Sequence, residues 1–234
     1  RDSQSTGYSP YSGYTKWDIA YNYYHVTLDW GDDLLVDDIG NAYFKSYGIL
    51  YKLDRNGNLE WMLNTDSDFN IALGTYNHIY HIHNGKFTAV NIDTGEEEWN
   101  VNNITVNSNM VIDNNGNIYF LTQEQGLKKI QDTGTGYNNI WNVTEVNSIS
   151  DIVIDHNLRV YFLEEDIGLK LKRISSDGIV EHILDLGEEY KTIDNRSIVI
   201  DETNNLIYIK AKKPVDSKYL YLVINSETFI KVDE

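Results

Sequence analysis

The chain has 234 residues, of which 41% are hydrophobic and 12% aromatic, and this apolar content suffices for a folded domain with a sizeable core. The formal net charge of −17 disfavours nucleic acid and anionic membranes as partners, because an acidic surface repels both. Cysteine is absent, which excludes disulfides, thiolate metal sites and thiol catalysis. No apolar run reaches the length of about 18 residues that predicts a membrane helix.

The N-terminal region differs in composition from the rest of the chain. Residues 1–16 are rich in Ser, Gly and Tyr and are predicted to form a flexible tail, while residues 17–234 are predicted to form a single domain. The segment Trp17–Trp30 alternates enough for one or two strands, which either close a ring of blades or belong to an incomplete sixth blade. Its tyrosines suit stacking on a ligand, a protein interface or strand packing.

A repeat of about 40 residues then runs through the chain. Each copy is an apolar triplet, a polar turn and an apolar run centred on a tyrosine. The five copies are Leu34–Phe44, Ile71–Ile82, Met110–Leu121, Ile152–Leu163 and Ile198–Ile209, and their tyrosines are Tyr43, Tyr80, Tyr119, Tyr161 and Tyr208. Short strands repeating at this period predict an all-β fold, a single β-propeller of four-stranded antiparallel blades with five blades, or six if residues 17–30 form another.

The third copy shows how one blade is predicted. Met110–Ile112 forms the inner strand, and Asn115-Gly116 makes a hairpin turn because both residues tolerate positive φ. Asn117–Thr122 and Leu127–Ile130 follow as the second and third strands. Tyr137–Val143, which contains Trp141, is the outer strand.

The phrases GILYKLDRNGNLEW (Gly48–Trp61) and GKFTAVNIDTGEEEW (Gly85–Trp99) resemble the pyrroloquinoline-quinone-type, or quinoprotein-like, propeller repeat. The resemblance implies that Trp61, Trp99 and Trp141 dock each blade on its neighbour. It does not imply quinone chemistry, because the quinone-dependent enzymes of this superfamily have larger rings, and many use adjacent cysteines that this chain lacks. Other members are non-catalytic scaffolds that bind proteins.

Polar residues recur at both ends of the first strand of each blade. Those at the start are predicted to ring the mouth of a central channel, where they either bind a small molecule or partner loop or are solvated linker residues: Asp33, Asn70, Asn109, Asp151 and Ser197. Those at the end either form a carboxylate ring for a cation or start turns: Asp37, Asp113, Asp155 and Asp201.

Two histidines form a potential metal site. His81 and His83 lie on the same face of one strand and could supply two nitrogen ligands to zinc or copper. The alternative is packing, since other repeats carry phenylalanine at the position of His81. No cofactor is predicted.

Three Asn-x-Ser/Thr triplets, at Asn103, Asn142 and Asn195, predict glycosylation and give some support to a secreted or extracellular location.

The sequence thus predicts a secreted, non-catalytic propeller that binds a small molecule or a protein partner. The alternative is a metal-dependent enzyme, either a lactonase-like hydrolase or a small oxidoreductase, that uses His81, His83 and channel carboxylates.

Overall fold

The computed structural model describes residues 34–46, 48–65, 71–83, 85–102, 104, 106, 108–122, 126–144, 146, 150–165, 167–192, 197–213, 215 and 218–233. No residue in these ranges is helical, and they therefore contain no helix that could cross a membrane. The predicted tail and the segment Trp17–Trp30 lie outside the described residues, as do Asp33 and Asn70, so the domain boundaries and the question of a sixth blade stay predictions.

Five antiparallel sheets follow one another along the chain. The first contains β1 (Leu34–Val36), β2 (Ala42–Ser46), β3 (Ile49–Leu53) and β4 (Leu59–Asn64). The second contains β5 (Ile71–Leu73), β6 (His78–His83), β7 (Lys86–Asn91) and β8 (Glu97–Asn102). The third contains β9 (Val111–Ile112), β10 (Asn117–Thr122), β11 (Gly126–Asp132) and β12 (Tyr137–Val143), close to the strands predicted from the sequence.

The fourth sheet contains β13 (Val153–Ile154), β14 (Val160–Glu165), β15 (Leu169–Ile174) and β16 (Val180–Gly187). The fifth contains β17 (Lys191–Thr192), β18 (Ile198–Asp201), β19 (Leu206–Lys213), β20 (Lys218–Asn225) and β21 (Lys231–Asp233), with both β17 and β18 paired to β19. Each of the first four sheets is a meander of short strands, and in the fifth β18 to β21 continue this pattern while β17 adds a second short partner for β19. The predicted all-β fold of four-stranded antiparallel blades is confirmed.

Two compact units divide the described residues. The first holds the described residues up to Ile104 together with Asn114–Asn117 and Asp132–Asn138, and the second holds the other described residues. Within the first unit β1 contacts β5, and within the second β13 contacts β18, so inner strands of successive sheets lie side by side.

The repeated tyrosines form the centre of the packing. Tyr43, Tyr80, Tyr119 and Tyr161 are fully buried, as expected for inner strands covered on both faces. Tyr208 has the equivalent register, opposite Val199, but its side chain is 36% exposed. The fifth sheet buries Ile207 and Ile209 on its other face, in a cluster with leucines of the fourth sheet. The fifth copy of the repeat therefore keeps its pairing but not its tyrosine burial.

Candidate functional site

The aspartates that end the first strands are occupied in turns and in pairs with the repeated tyrosines. The hydroxyl of Tyr119 donates to Asp113 at 3.0 Å, and the hydroxyls of Tyr43 and Tyr161 donate to Asp37 and Asp155 at 2.9 Å. The same carboxylates accept backbone N–H groups, as Asp155 does from Asn157 and Arg159. Burial, followed by the adjacent carboxylate, raises the pKa of these tyrosines above the ordinary value of 10.0. The turn interpretation of the aspartates is confirmed.

A buried cation accompanies each of these pairs. The Lys129 ammonium lies 5.1 Å from the centre of the Tyr119 ring, and the Lys52 ammonium lies 5.9 Å from that of Tyr43. Arg173 in the fourth sheet is 94% buried and donates to the Ser226 carbonyl at 2.6 Å. Burial lowers the pKa of Lys129. Three sheets therefore share an Asp–Tyr pair with a positive charge beside it.

The tryptophans of the first and third sheets bind the next sheet in the manner that the repeat implied. Trp61 Nε1 donates to the Ile92 carbonyl at 2.7 Å, and Trp141 Nε1 donates to the Ser176 carbonyl at 2.9 Å. Each indole lies on a glycine with positive φ: a Cβ added at Gly95 or Gly178 would come within 3.0 Å of the ring. Glycine is required there both for the turn and for the close approach.

Trp99 docks differently. Its ring packs against Tyr137, with ring centres 5.6 Å apart, but its buried Nε1 has no hydrogen-bond acceptor among the described residues. Trp99 also contacts the rings of His78, Tyr80 and Phe87. The implied docking role is therefore filled here by aromatic packing.

The second sheet lacks both the aspartate and the lysine or arginine that accompany the repeated tyrosine in the first, third and fourth sheets. Gly74 occupies the position of the aspartate, and a Cβ there would lie 2.1 Å from the Tyr80 ring. Ala89 lies opposite Trp99, where Lys52 lies opposite Trp61 in the first sheet. Both charges are supplied from elsewhere: Tyr80 donates to Asp132 at the end of β11, and the cation is His78.

His78 lies between two carboxylates. Its Nδ1 is 2.5 Å from Asp132 Oδ2, and its Nε2 is 2.6 Å from Glu98 Oε2. Burial by itself lowers the pKa of His78, but the hydrogen bonds to Glu98 and Asp132 outweigh burial and raise it above the ordinary value of 6.5. The bond from His78 lowers the pKa of Glu98, assisted by Asn91 Nδ2 at 2.6 Å.

Two of the predicted channel-mouth residues come together. The Asn109 backbone N–H donates to Asp151 Oδ1 at 2.9 Å, and the Asn109 side chain bonds the N–H and carbonyl of Ile152. These bonds join the strands entering the third and fourth sheets. Ser197 is buried, and its carbonyl accepts from Lys210 N–H at 2.8 Å. Their role in ligand binding stays a prediction.

The predicted metal ligands, His81 and His83, lie two residues apart in the C-terminal half of β6. His81 is buried and pairs with Thr88 across the sheet, while His83 pairs with Lys86. Among the described residues no group of three His, Cys, Asp or Glu side chains is arranged to hold a metal ion. The metal site stays a prediction.

Glycosylation also stays a prediction. Asn142 is exposed on β12, and Asn103 and Asn195 lie outside the described ranges.

Comparison of the chain with known proteins supports the fold. No curated protein sequence matches it significantly. BamB from Moraxella catarrhalis is similar in structure with a TM-score of 0.61 and 12% identity, over 86% of this chain and 59% of that one. The extracellular domain of BT4673 from B. thetaiotaomicron, named as a hybrid two-component system, gives 0.63 and 13%, over 86% and 29%.

The quinohemoprotein alcohol dehydrogenase ADHIIG from Pseudomonas putida HK5 gives a TM-score of 0.56 and 14% identity, over 86% of this chain and 41% of that one. The chain thus spans less than two thirds of each of these structures, which share its β-propeller fold. A family model described as outer membrane protein assembly factor BamB matches residues 50–177, more than half of the chain. The chain belongs to this BamB family of quinoprotein-like propeller repeats.

Proposed function

We propose that this chain is a non-catalytic propeller module that binds a protein partner along the edge of its fourth sheet. The observation that carries the proposal is the outer strand β16 (Val180–Gly187), which pairs with β15 on one side and ends the fourth sheet on the other. At eight residues it is the longest described outer strand. An edge strand of this length offers a row of backbone N–H and C=O groups to an extended segment of another protein.

The strand β16 exposes two large apolar side chains, whereas β4 and β21 expose one each, Met62 and Val232. Val180 and Ile183 are 45% and 56% exposed, and Ile179, just before the strand, is 64% exposed. The exposed positions of β8 are instead acidic or Asn, and those of β12 are Asn apart from Ile140. Polar side chains protect an edge against pairing, whereas exposed apolar ones favour it. The edge of the fourth sheet is therefore the better docking surface.

The charge of the chain indicates the chemistry of the partner. The net charge is −17, and β16 itself carries Glu181 and Asp185. Because Arg173 already pairs with Glu181 at 2.9 Å, Asp185 is the acidic group that β16 offers to a partner. An extended segment that alternates apolar side chains with lysine or arginine fits both features.

The polar groups that would serve other functions have structural roles. Asn109 and Asp151 bond to one another, and the turn aspartates hold tyrosines and backbone amides. These contacts support protein binding over a small-molecule ligand or a metal-dependent hydrolase or oxidoreductase. The description of the matching family model, an outer membrane protein assembly factor, and the name of one matched structure, an extracellular domain, support a secreted or extracellular location and an assembly role.

The test is a binding measurement with matched variants. Partners captured from the native organism would be identified, purified and titrated against the wild-type chain, Ile183→Glu and Ile39→Glu. Ile39 is 72% exposed in the β1–β2 turn and serves as the control. We expect Ile183→Glu to weaken binding at least tenfold, or by about 1.4 kcal/mol, because a carboxylate replaces an apolar side chain at the docking edge. Ile39→Glu should have no effect. Equal affinities of the two variants, or a stoichiometric metal or small molecule in native material, would contradict the proposal.

A further inference from the structure

The geometry around His78 fits a charged imidazole. A neutral imidazole carries one N–H group, so it can donate a hydrogen bond from only one of its two nitrogens. Both nitrogens of His78 instead face carboxylate oxygens, Asp132 Oδ2 at 2.5 Å and Glu98 Oε2 at 2.6 Å. The imidazolium donates to both while the two carboxylates stay ionised, whereas a bare ring nitrogen facing an ionised carboxylate would place two acceptors together.

The surroundings keep this ion pair away from water. The side chains of His78 and Asp132 are fully buried, and that of Glu98 is 35% exposed. The rings of Tyr80 and Trp99 lie edge-on to the imidazole, with ring centres 6.1 and 6.2 Å away. The charged and titratable groups around His78 are thus Asp132 from β11, Glu98 from β8 and the Tyr80 hydroxyl from β6, with Tyr137 of β12 beyond Trp99.

Among the described sheets, only the second has a histidine as the cation beside its Asp–Tyr pair. The corresponding cations are Lys52, Lys129 and Arg173, and lysine and arginine ordinarily titrate above pH 10. Histidine ordinarily titrates near pH 6.5, so its charge responds to pH changes that leave the other three unaffected.

We propose that His78 is a pH-sensitive latch that holds the turn Asp132–Asn138 on the second sheet when protonated and releases it when deprotonated. Loss of the proton leaves one N–H to serve two carboxylates. Glu98 is partly exposed and turns to water, while Asp132 keeps the Tyr80 hydroxyl. The net charge of His78, Asp132 and Glu98 changes from −1 to −2, which weakens the packing of the turn against Trp99.

The direction of the pH effect follows from the raised pKa of His78. A group whose pKa is higher in the folded state stabilises that state fully below its unfolded value of about 6.5. The stabilisation is lost as the pH rises through the folded value. The latch is therefore closed at low pH and opens as the pH rises through the folded pKa of His78.

The first test is direct observation of the imidazole by ¹⁵N NMR. His156, whose side chain is 59% exposed, provides an internal reference. We expect both nitrogens of His78 to carry protons at pH 7. A His78 that is neutral at pH 7, or that titrates at or below pH 6.5, would overturn the proposal.

The second test compares two neighbouring glutamates of β8. Glu98→Gln removes one of the charges that hold the His78 proton, and Glu97→Gln removes the partner of Lys86 without touching His78. We expect Glu98→Gln to lower the titration midpoint of His78 by about one pH unit and Glu97→Gln to leave it unchanged, one unit being a tenfold change in proton affinity.

Hydrogen exchange of the turn amides, corrected for the intrinsic rate, reports the opening itself. Protection in Asp132–Asn138 should fall about tenfold for each pH unit above the His78 midpoint, and Glu98→Gln should move the onset to lower pH. Protection that is independent of pH in the wild-type chain would exclude a latch even if His78 is charged. Because both variants are at partly exposed positions, they test the latch without removing buried His78.

Discussion

The docking tryptophans permit a matched comparison of stability. Trp141→Phe removes the Nε1–H that donates to the Ser176 carbonyl at 2.9 Å, and Trp99→Phe removes an Nε1–H that has no acceptor among the described residues. Loss of a hydrogen bond costs about 1 kcal/mol, whereas removal of a buried unpaired donor relieves about 1–3 kcal/mol. Both changes also lose part of the indole ring, at about 1–2 kcal/mol.

Trp141→Phe should therefore lower the free energy of unfolding by about 2–3 kcal/mol, and Trp99→Phe by about 1 kcal/mol or less. Urea unfolding followed by far-UV circular dichroism measures both, because removal of a tryptophan alters the fluorescence signal. The denaturant slopes should match that of the wild type if only the native contacts change. A loss for Trp99→Phe that equals or exceeds the loss for Trp141→Phe would refute the hydrogen-bond account of docking.

Three further predictions concern the same repeated elements. Gly178→Ala should cost about 2 kcal/mol in chemical unfolding, because Gly178 has φ +82° and a Cβ would lie 2.9 Å from Trp141. Gly134→Ala, with φ +87° and the nearest ring atom at 3.5 Å, should cost only about half as much. Tyr119→Phe should cost about 1–2 kcal/mol, because Asp113 loses the hydroxyl that donates to it. The raised pKa of the four fully buried tyrosines should keep them protonated above pH 10 in the folded chain, so the free energy of unfolding should fall above pH 10, because unfolding exposes phenols that then ionise. Ultraviolet titration measures the phenolates and chemical unfolding measures the stability; ionisation of the buried phenols near pH 10 in the folded chain would contradict this.

Much of the fold was predictable because each blade repeats local rules. Apolar triplets, Asx-Gly turns and a central tyrosine mark strands whose pairing is fixed by two-residue periodicity. The predicted Asn117–Thr122 and Tyr137–Val143 match β10 and β12. The exposure of Tyr208 was not predictable, because burial of an inner tyrosine depends on the neighbouring sheet and not on its own strand.

The candidate site was less predictable than the fold. Asn109 and Asp151 occupy equivalent positions in the repeat, and only the structure shows that they bond to one another; their role in ligand binding stays a prediction. The sequence pattern points to His81 and His83 and not to His78, although it carries one signal for His78. Gly74 breaks the series of turn aspartates. A repeat that loses its charge at one position needs a replacement, and only the three-dimensional pairing shows that Asp132 provides it.

The most direct test of the proposed function is photo-crosslinking from position 183 in the native organism, with position 39 as the control. A protein-binding edge predicts an adduct from position 183 with one protein, mapped to an extended, basic and apolar segment, and none from position 39. The proposal would be contradicted if position 183 gave no adduct and the purified chain carried a stoichiometric small molecule near Asn109 and Asp151.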